Sequence, residues 1–288
     1  MTEEGGENMR KTLHRKESAG GKALIYIVLI LGCFITLAPF LWMFLTSFKT
    51  QIEAVSIPPS ILPRHWNPSS YLTLSDKLPF WLMYGNTVLT AVIIVTAQLT
   101  LCSLAGYAFA RIRFPGRDAL FVLCLAVLMI PSSFLILPQY LTIQKMGLLN
   151  TLRAIFLPNL FSAFGTFLMR QFFLSIPQEL EDAARIDGCS HGRIFLQIML
   201  PLVKPGLVSL GVLTLRFAWN NLMWPMIVNT SPDKMTLAAG LSYLQGQYVT
   251  DYPSIMAGAL LSVIPLIIIY AIFQKQFIEG IALTGIKG

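Results

Sequence analysis

Long stretches without a charged residue dominate the chain. Residues 23–48, 78–110, 119–144 and 252–274 contain no Asp, Glu, Lys or Arg. A helix of roughly 20 apolar residues is long enough to cross the hydrocarbon core of a bilayer. Each of these runs exceeds that length, so each predicts a transmembrane helix.

Two further apolar stretches are interrupted by basic residues. Residues 152–176 carry arginines near their ends, and residues 203–228 carry Lys204 at their start and Arg216 deep inside. Long basic side chains near the end of a span reach the membrane interface, whereas a deep arginine needs a cavity or a partner. With these two stretches the sequence predicts an all-α, polytopic membrane protein with six transmembrane helices, over residues 23–288.

Charge is scarce and unevenly distributed. Only 12% of the 288 residues are charged, against about 25% in a soluble domain. Lysines and arginines are concentrated in residues 1–22, 111–117 and 175–205, the loops that share one side if six helices cross. Because cytoplasmic loops carry the excess of positive charge, both termini are predicted to be cytoplasmic, with residues 1–22 as a disordered tail. The net charge of +7 therefore reflects membrane topology, and nothing indicates nucleic-acid binding.

Residues that carry out catalysis or bind metal form no recognisable group. The four cysteines are scattered, and the three histidines have no companion ligands near them in sequence. The chain contains no G-x-x-x-x-G-K-[ST] sequence, the loop that holds nucleotide phosphates. We therefore assign no catalytic residue and no metal ligand, and any energy source must lie on another polypeptide.

One polar segment separates two of the apolar stretches: "SIPQELEDAARIDGCSHGRIFLQIMLPLVKPG", residues 175–206. Ser175 followed by Gln178 predicts a capping box that starts a short helix over about 177–187. Gly188 supplies the left-handed residue that ends it, and a second helix is predicted to follow Ser190. The segment is thus an αα-hairpin on the cytoplasmic side.

The first helix of this hairpin has a distinctive face. Leu180, Ala183, Ala184 and Asp187 recur at i, i+3, i+4 and i+7 and share that face. Two alanines let another surface approach closely, and carboxylates flank the contact. The pattern also fits an ordinary amphipathic helix at a membrane interface.

The residue order resembles a known family. "EDAARIDG" followed by "IMLPLVKPG" resembles the cytoplasmic EAA loop of ATP-binding cassette (ABC) importer permeases. "NTVLTAV", "AGYAFARIRFPGR", "FLMRQFF", "WNNLMWP" and "GIKG" resemble the carbohydrate branch, near the smaller permease subunit of the maltose transporter. One position departs from the family pattern, because Asp182 stands where the motif has its glutamate.

This resemblance implies a type I importer permease fold in a prokaryotic inner or plasma membrane, with the EAA loop at residues 175–205. The loop's first helix would be the coupling helix that docks on an ATPase. The coupling contacts implied are Glu181, Asp182, Ala183, Ala184, Asp187 and Gly188. The implied partners are a second permease subunit, two ATP-binding subunits that use ATP and Mg, and an extracytoplasmic sugar-binding protein. No cofactor is expected in this chain.

A candidate substrate path lies in the fifth predicted span. Its residues are Arg216, Trp219, Asn220, Asn221 and Trp224. Amide side chains match sugar hydroxyls, and aromatic faces stack on a pyranose ring. The same tryptophans and asparagines also fit interfacial anchoring and contacts between helices. Arg216 fits either a cavity or a salt bridge to another subunit.

Other transporter classes fit less well. An importer of amino acids or peptides remains the alternative on substrate, since the sequence does not reveal the sugar. An ion-coupled secondary transporter normally needs buried carboxylates, and no Asp or Glu lies at the centre of a predicted span. An intramembrane enzyme would need a nucleophile–base pair or metal ligands in mid-membrane.

Overall fold

The computed structural model describes the backbone of residues 19–246 and 249–285, and the side chains of residues 25–246 and 249–276. This part of the chain is helical, and its only β pairing is an isolated bridge between Gln245 and Thr250. Residues 1–18 of the predicted tail lie outside the described residues. The first helix begins at Ala19, and its candidate span runs from Ile25 to Ser47.

The main helices of the described residues number twelve. In chain order they are α1 (Ala19–Ser47), α2 (Phe80–Arg111), α3 (Arg117–Ala126), α4 (Ser132–Lys145), α5 (Leu152–Phe156), α6 (Ala163–Ser175), α7 (Glu179–Ile186), α8 (His191–Ile194), α9 (Lys204–Trp219), α10 (Met223–Val228), α11 (Leu237–Leu241) and α12 (Tyr252–Gly285). Short helical turns fill the loop between α1 and α2, at Gln51–Ala54, Ser69–Leu72 and Leu74–Lys77. Helix α8 continues through Phe195–Met199, with π-helical hydrogen bonding, to Leu200–Leu202.

Three unbroken helices are long and apolar enough to cross a membrane: Ile25–Ser47, Phe80–Arg111 and Tyr252–Gln276. Three bent helix pairs pass the same test, with bends of 101° between α3 and α4, 41° between α5 and α6, and 76° between α8 and α9. If each bent pair is one span, the described chain has six candidate spans, but the fifth would then begin at His191, inside the predicted cytoplasmic loop, and not at residue 203.

The third and fifth predicted spans are each interrupted within the apolar run. The third breaks at Pro131, whose missing N–H cannot continue the helix and which forces Ile130 into an extended conformation. Helix α9 ends at Trp219, and a non-helical step separates it from the short α10. The span predicted over residues 203–228 therefore consists of two helices separated by a break at residues 220–222.

Helix α2 is the central element and packs against α6 and α9. Glycines make this packing close. A Cβ added to Gly106 would lie 2.8 Å from the Cβ of Met169 and 2.9 Å from the backbone nitrogen of Arg170. Added to Gly206, it would lie 2.5 Å from the ring of Phe172. The small residues of "SLAGYAFA" and "KPGL" thus let the backbones approach within a distance that larger side chains forbid.

The opposite end of α2 is held by polar contacts. Lys77 donates from Nζ to Asp251 Oδ2 at 2.6 Å and to Ser254 Oγ at 2.7 Å, which joins the start of α2 to the start of α12. Burial raises the pKa of the Asp251 carboxyl, but the hydrogen bonds from Lys77 and Ser254 outweigh it and leave that pKa below its usual range. Asn86 donates to the carbonyls of Asp233 and Met235, so the loop before α11 is tied to α2 as well.

The packing predicts a difference between two glycines of the same helix. Gly106→Ala should lower the free energy of unfolding by about 1–3 kcal/mol, because backbone as well as side chain must move to admit the methyl group. The control is Gly85→Ala, since a Cβ at Gly85 meets nothing within 4 Å. Thermal unfolding of both variants in detergent measures the difference, and equal melting temperatures would contradict the close packing.

Candidate functional site

The site nearest to the predicted chemistry is the hairpin between α6 and α9. We call Glu179–Ile186 and His191–Leu202 together the acidic hairpin. Its first helix begins later than predicted. Ser175 belongs to α6 and donates its hydroxyl to the Phe172 carbonyl, and Gln178 makes no side-chain cap. The predicted capping box was wrong, because Ser175 is already held inside the preceding helix.

The end of α7 and the start of α8 follow the prediction. Gly188 has φ +78°, and the amide of Cys189 donates to the Ala184 carbonyl at 3.0 Å. This left-handed residue ends α7 in the manner typical of glycine. Ser190 then accepts a hydrogen bond from the Arg193 amide and starts α8.

The two faces of α7 differ sharply in exposure. Glu181 is 2% exposed and Ala184 is 5% exposed, so both point into the protein. The face that points outward is formed by Leu180, Asp182, Ala183, Ile186, Asp187 and Gly188. The predicted coupling contacts therefore divide into two groups. Asp182, Ala183, Asp187 and Gly188 are available to a partner, whereas Glu181 and Ala184 are not.

Glu181 is the centre of a buried charge network. Its Oε1 accepts from Arg185 at 2.7 Å and from the Tyr107 hydroxyl at 3.4 Å. Its Oε2 lies 3.9 Å from Nε of Arg111, whose side chain is only 8% exposed. Arg111 also donates to the carbonyls of Phe173 and Ile176. Helix α7 is thereby fixed to the last turn of α2 and to the end of α6.

Apolar packing holds α8 to the same helices. Ile194, Phe195 and Met199 are buried against α2 and α6. The ring of Phe195 lies 5.1 Å from that of Tyr107 and 6.2 Å from that of Phe173. The acidic hairpin is thus attached to the membrane helices by a charge network and an apolar cluster, while its outer face stays free.

The two tryptophans of the predicted substrate path are packing residues in this structure. Trp219 is 4% exposed, donates from Nε1 to Ser262 in α12, and meets the ring of Tyr84 edge-on at 5.8 Å. Trp224 is 8% exposed and donates from Nε1 to the Ala154 carbonyl at 2.9 Å. Neither indole is open to a sugar ring.

The polar members of the predicted path behave differently. Arg216 and Asn220 are exposed, and Asn221 is partly exposed, its Oδ1 accepting from the Trp224 amide. Within the described part of the chain, the guanidinium of Arg216 has no hydrogen bond or ion pair. The structure therefore does not bring the five residues together into one pocket.

A polar cluster that the sequence reading missed lies beside the break between α5 and α6. Gln98 donates to the Asn159 carbonyl at 2.8 Å and accepts from the Thr214 hydroxyl at 2.9 Å. A cavity of about 260 Å³ adjoins it, with the rings of Phe161, Phe164 and Phe217 in its lining. A glutamine inside a run of 33 uncharged residues was the available signal, because a buried amide in a membrane needs partners.

No metal site accompanies these groups. Among the residues that the structure describes, no three His, Cys, Asp or Glu side chains lie close enough together to hold a metal ion.

Comparison with protein families gives a match over more than half of the chain. Residues 98–282 match the family described as the binding-protein-dependent transport system inner membrane component. The matched region includes the acidic hairpin, α9 and the Gln98 cluster.

Two curated relatives align over nearly their full lengths. The arabinooligosaccharides transport system permease protein AraQ of Halalkalibacterium halodurans is 36% identical over 96% of this chain and 100% of its own length. The diacetylchitobiose uptake system permease protein NgcG of Streptomyces coelicolor is 32% identical over 90% of this chain and 87% of its own.

A solved structure shares the fold. A chain of a bacterial ABC transporter involved in the import of the acidic polysaccharide alginate superposes with a TM-score of 0.78 and 25% identity. The match covers 91% of this chain and 98% of that chain. The all-α, type I importer permease fold predicted for this chain is therefore confirmed.

The charge network predicts which glutamate of α7 matters for stability. Glu181→Gln removes the charge that faces Arg111 and should cost about 3 kcal/mol, since breaking a buried pair leaves an uncompensated charge. The matched control is Glu179→Gln, an exposed change of the same kind two residues away. Thermal unfolding in detergent compares the two. A melting temperature for Glu181→Gln equal to that of Glu179→Gln would show that the network adds nothing.

Proposed function

The chain belongs to the family of binding-protein-dependent transport system inner membrane components, and we propose that it is the pore-forming permease of an ATP-driven carbohydrate importer. The observation that carries this proposal is the acidic hairpin. It is a short helix with a free face of carboxylates and small residues, fixed by buried contacts to the membrane helices. Because it is short and fixed by buried contacts, the hairpin can pass a movement of a docked partner to the membrane helices without bending.

The substrate class follows from the relatives. Both curated relatives carry sugar oligomers in their names, arabinooligosaccharides in one and diacetylchitobiose in the other, and the solved neighbour imports a polysaccharide. These likenesses favour a carbohydrate over amino acids or peptides as the transported molecule. They do not single out one sugar, because the names differ from each other.

The coupling step uses the outer face of α7. We assign docking on an ATP-binding subunit to Asp182, Ala183, Asp187 and Gly188, which are all exposed. Two such subunits would bind ATP and Mg, since this chain has no phosphate-binding loop of its own. Their closure would move α7, and the Glu181–Arg111 contact would pass the movement directly to α2. Packed elements of this kind switch between discrete arrangements instead of deforming gradually.

Glu181 and Ala184 have a supporting role in this scheme. Glu181 fixes the angle of α7 relative to α2, and Ala184 lets α7 lie close to the apolar cluster. The shorter side chain of Asp182 still points outward, so its negative charge is available to a partner.

The pore would be completed by a second permease subunit. Helix α9 presents exposed Arg216 and Asn220, and the guanidinium of Arg216 has no partner in the described chain. An arginine within a membrane span needs a polar surrounding. A pathway lined by two permeases, fed by a sugar-binding protein outside a prokaryotic plasma membrane, supplies that surrounding.

Transport by the assembled complex tests the proposal. The permease should be purified with its co-purifying subunits and reconstituted in proteoliposomes with the binding protein. ATP-dependent uptake of a labelled oligosaccharide, suppressed by unlabelled sugars but not by peptides, is the expected result. Uptake driven by an ion gradient without an ATPase would contradict it, and competition by peptides alone would favour the peptide importer.

The exposed face of α7 predicts a specific coupling defect. Ala183→Arg places a long cation where a partner must approach closely, so capture of the ATP-binding subunit should fall at least about tenfold. Insertion and thermal stability should stay unchanged because Ala183 is exposed. Thr230→Arg, an exposed change outside the hairpin, is the control and should bind the ATPase normally. Normal ATPase capture by Ala183→Arg would exclude this face as the docking site.

A further inference from the structure

A cavity of about 760 Å³ lies between the acidic hairpin and the loop that follows α2. Basic side chains dominate its polar lining: Arg111, Arg113, Arg117 and Arg185 face a single carboxylate, Glu181. His191 also lines it. The cavity is therefore strongly cationic, although it lies beside a helix that is itself acidic.

Some of the guanidinium donors of these arginines have no partner in the described part of the chain. Nε of Arg111 is buried and makes no hydrogen bond, and its 3.9 Å distance from Glu181 is too long for one. Arg113 is exposed and has no hydrogen bond or ion pair in the described part of the chain. Arg117 contacts Asp118 at 3.0 Å through Nε, and Arg185 contacts Glu181 at 2.7 Å. Positive charge thus exceeds the negative charge available to it.

The loop that carries two of these arginines has a defined shape. Gly116 has φ +79°, and the amide of Arg117 donates to the Phe114 carbonyl at 3.3 Å, which closes a turn. The ring of Phe114 lies 6.1 Å from that of Phe109. Arg113 and Arg117 are therefore held at the rim of the cavity, and a ligand would not have to order the loop first.

The remaining lining shows at what depth the cavity lies. Ala110, Ile112, Leu174 and Ile176 contribute apolar surface, and they stand at the ends of the membrane helices α2 and α6. The cavity thus lies at the ends of two membrane helices, where a span meets the membrane interface, and combines apolar with cationic lining.

We propose that this cavity binds a phosphate group, presented by an anionic lipid or by a free phosphate compound. Guanidinium groups match phosphate oxygens with paired, charge-assisted hydrogen bonds, and several of them converge here. A bound phosphate would also offer an acceptor to the unused Nε of Arg111. The anion would then rest against Arg111 and Arg185, the two arginines that hold Glu181, so its presence would stabilise the attachment of the hairpin.

The consequence for coupling rests on the proposed function, but binding itself does not. Binding is therefore measured on the purified full-length chain in neutral detergent, without ATPase, sugar or ATP. Thermal unfolding is followed while sodium phosphate or short-chain phosphatidylglycerol is added, with sodium chloride at matched ionic strength as the reference. Phosphate, phosphatidylglycerol or both should raise the melting temperature beyond chloride.

Two variants locate the effect. Arg113→Gln combined with Arg117→Gln should weaken the apparent affinity at least tenfold, because both guanidinium groups at the rim are lost. Arg193→Gln removes an exposed arginine of the same hairpin that contacts Gln197 outside the cavity, and it should titrate like the unchanged protein. Native mass spectrometry of the unchanged protein and both variants measures how much phosphatidylglycerol each retains, independently of its stability.

The pattern of responses decides the source and the proposal. A response to phosphatidylglycerol alone identifies a lipid headgroup, and a response to both identifies a general phosphate site. No stabilisation by either, or an equal loss in Arg193→Gln, would overturn the proposal. An anion response that appears only after the ATP-binding subunit is added would also overturn it and would assign the arginines to an acidic segment of that partner.

Discussion

The structure depends on a buried carboxylate at the edge of the membrane. Glu181 of the acidic hairpin is hydrogen-bonded to Arg185 on its own helix at 2.7 Å, and it also forms a longer, 3.9 Å ion pair with Arg111, the last residue of the central membrane helix. A buried ion pair adds little net stability over well-packed apolar side chains, but losing one partner is costly. Such a pair therefore favours one geometry over all others. Under the proposed coupling, in which a docked partner moves the membrane helices, a fixed geometry is worth more than added stability.

Close helix packing connects the Glu181–Arg111 pair to the rest of the helix bundle. Gly106 and Gly206 bring α2, α6 and the start of α9 to within van der Waals contact, and Arg111 bridges the ends of α2 and α6. A displacement of α7 is therefore applied to three helices at once. Other apolar segments have the opposite character, because breaks at Pro131 and at residues 220–222 interrupt their hydrogen bonding. Rigid and interrupted helices together are what a pathway that opens alternately to two sides requires.

The sequence alone was sufficient where local physics decides the outcome. Uncharged runs located α1, α2 and α12, since length and hydropathy determine whether a helix can cross a bilayer. Gly188 ended α7 as expected, because few other residues adopt a left-handed backbone. The bend of 101° at Pro131 could not be read, since a proline permits a break and tertiary packing sets its angle.

In the candidate site, too, local sequence predicted some features, whereas others depend on tertiary contacts. Helical periodicity grouped Leu180, Ala183, Ala184 and Asp187 on one face. Three of them are exposed, but Ala184 is buried, and periodicity gave no reason to turn Glu181 inward. That orientation depends on Arg111, which lies 70 positions earlier in the chain. The tryptophans of "WNNLMWP" were equally ambiguous, since an indole that stacks on a sugar and an indole that donates to a backbone carbonyl have the same sequence signal. Only the positions of Ser262 and Ala154 resolve it.

The surface left over also argues for an assembly. Helix α1 is exposed from Ile25 to Trp42, which suits lipid, whereas the end of α9 exposes Arg216 and the following Asn220 next to apolar Phe217. Lipid tails offer no polar partner to the arginine and asparagine of this surface, and a guanidinium without a partner in hydrocarbon is costly. Among the described residues, a single copy of this chain therefore has a face that neither the bilayer nor its own helices complete. A second permease subunit facing α9 would shield these polar groups from lipid and place them beside a water-filled pathway.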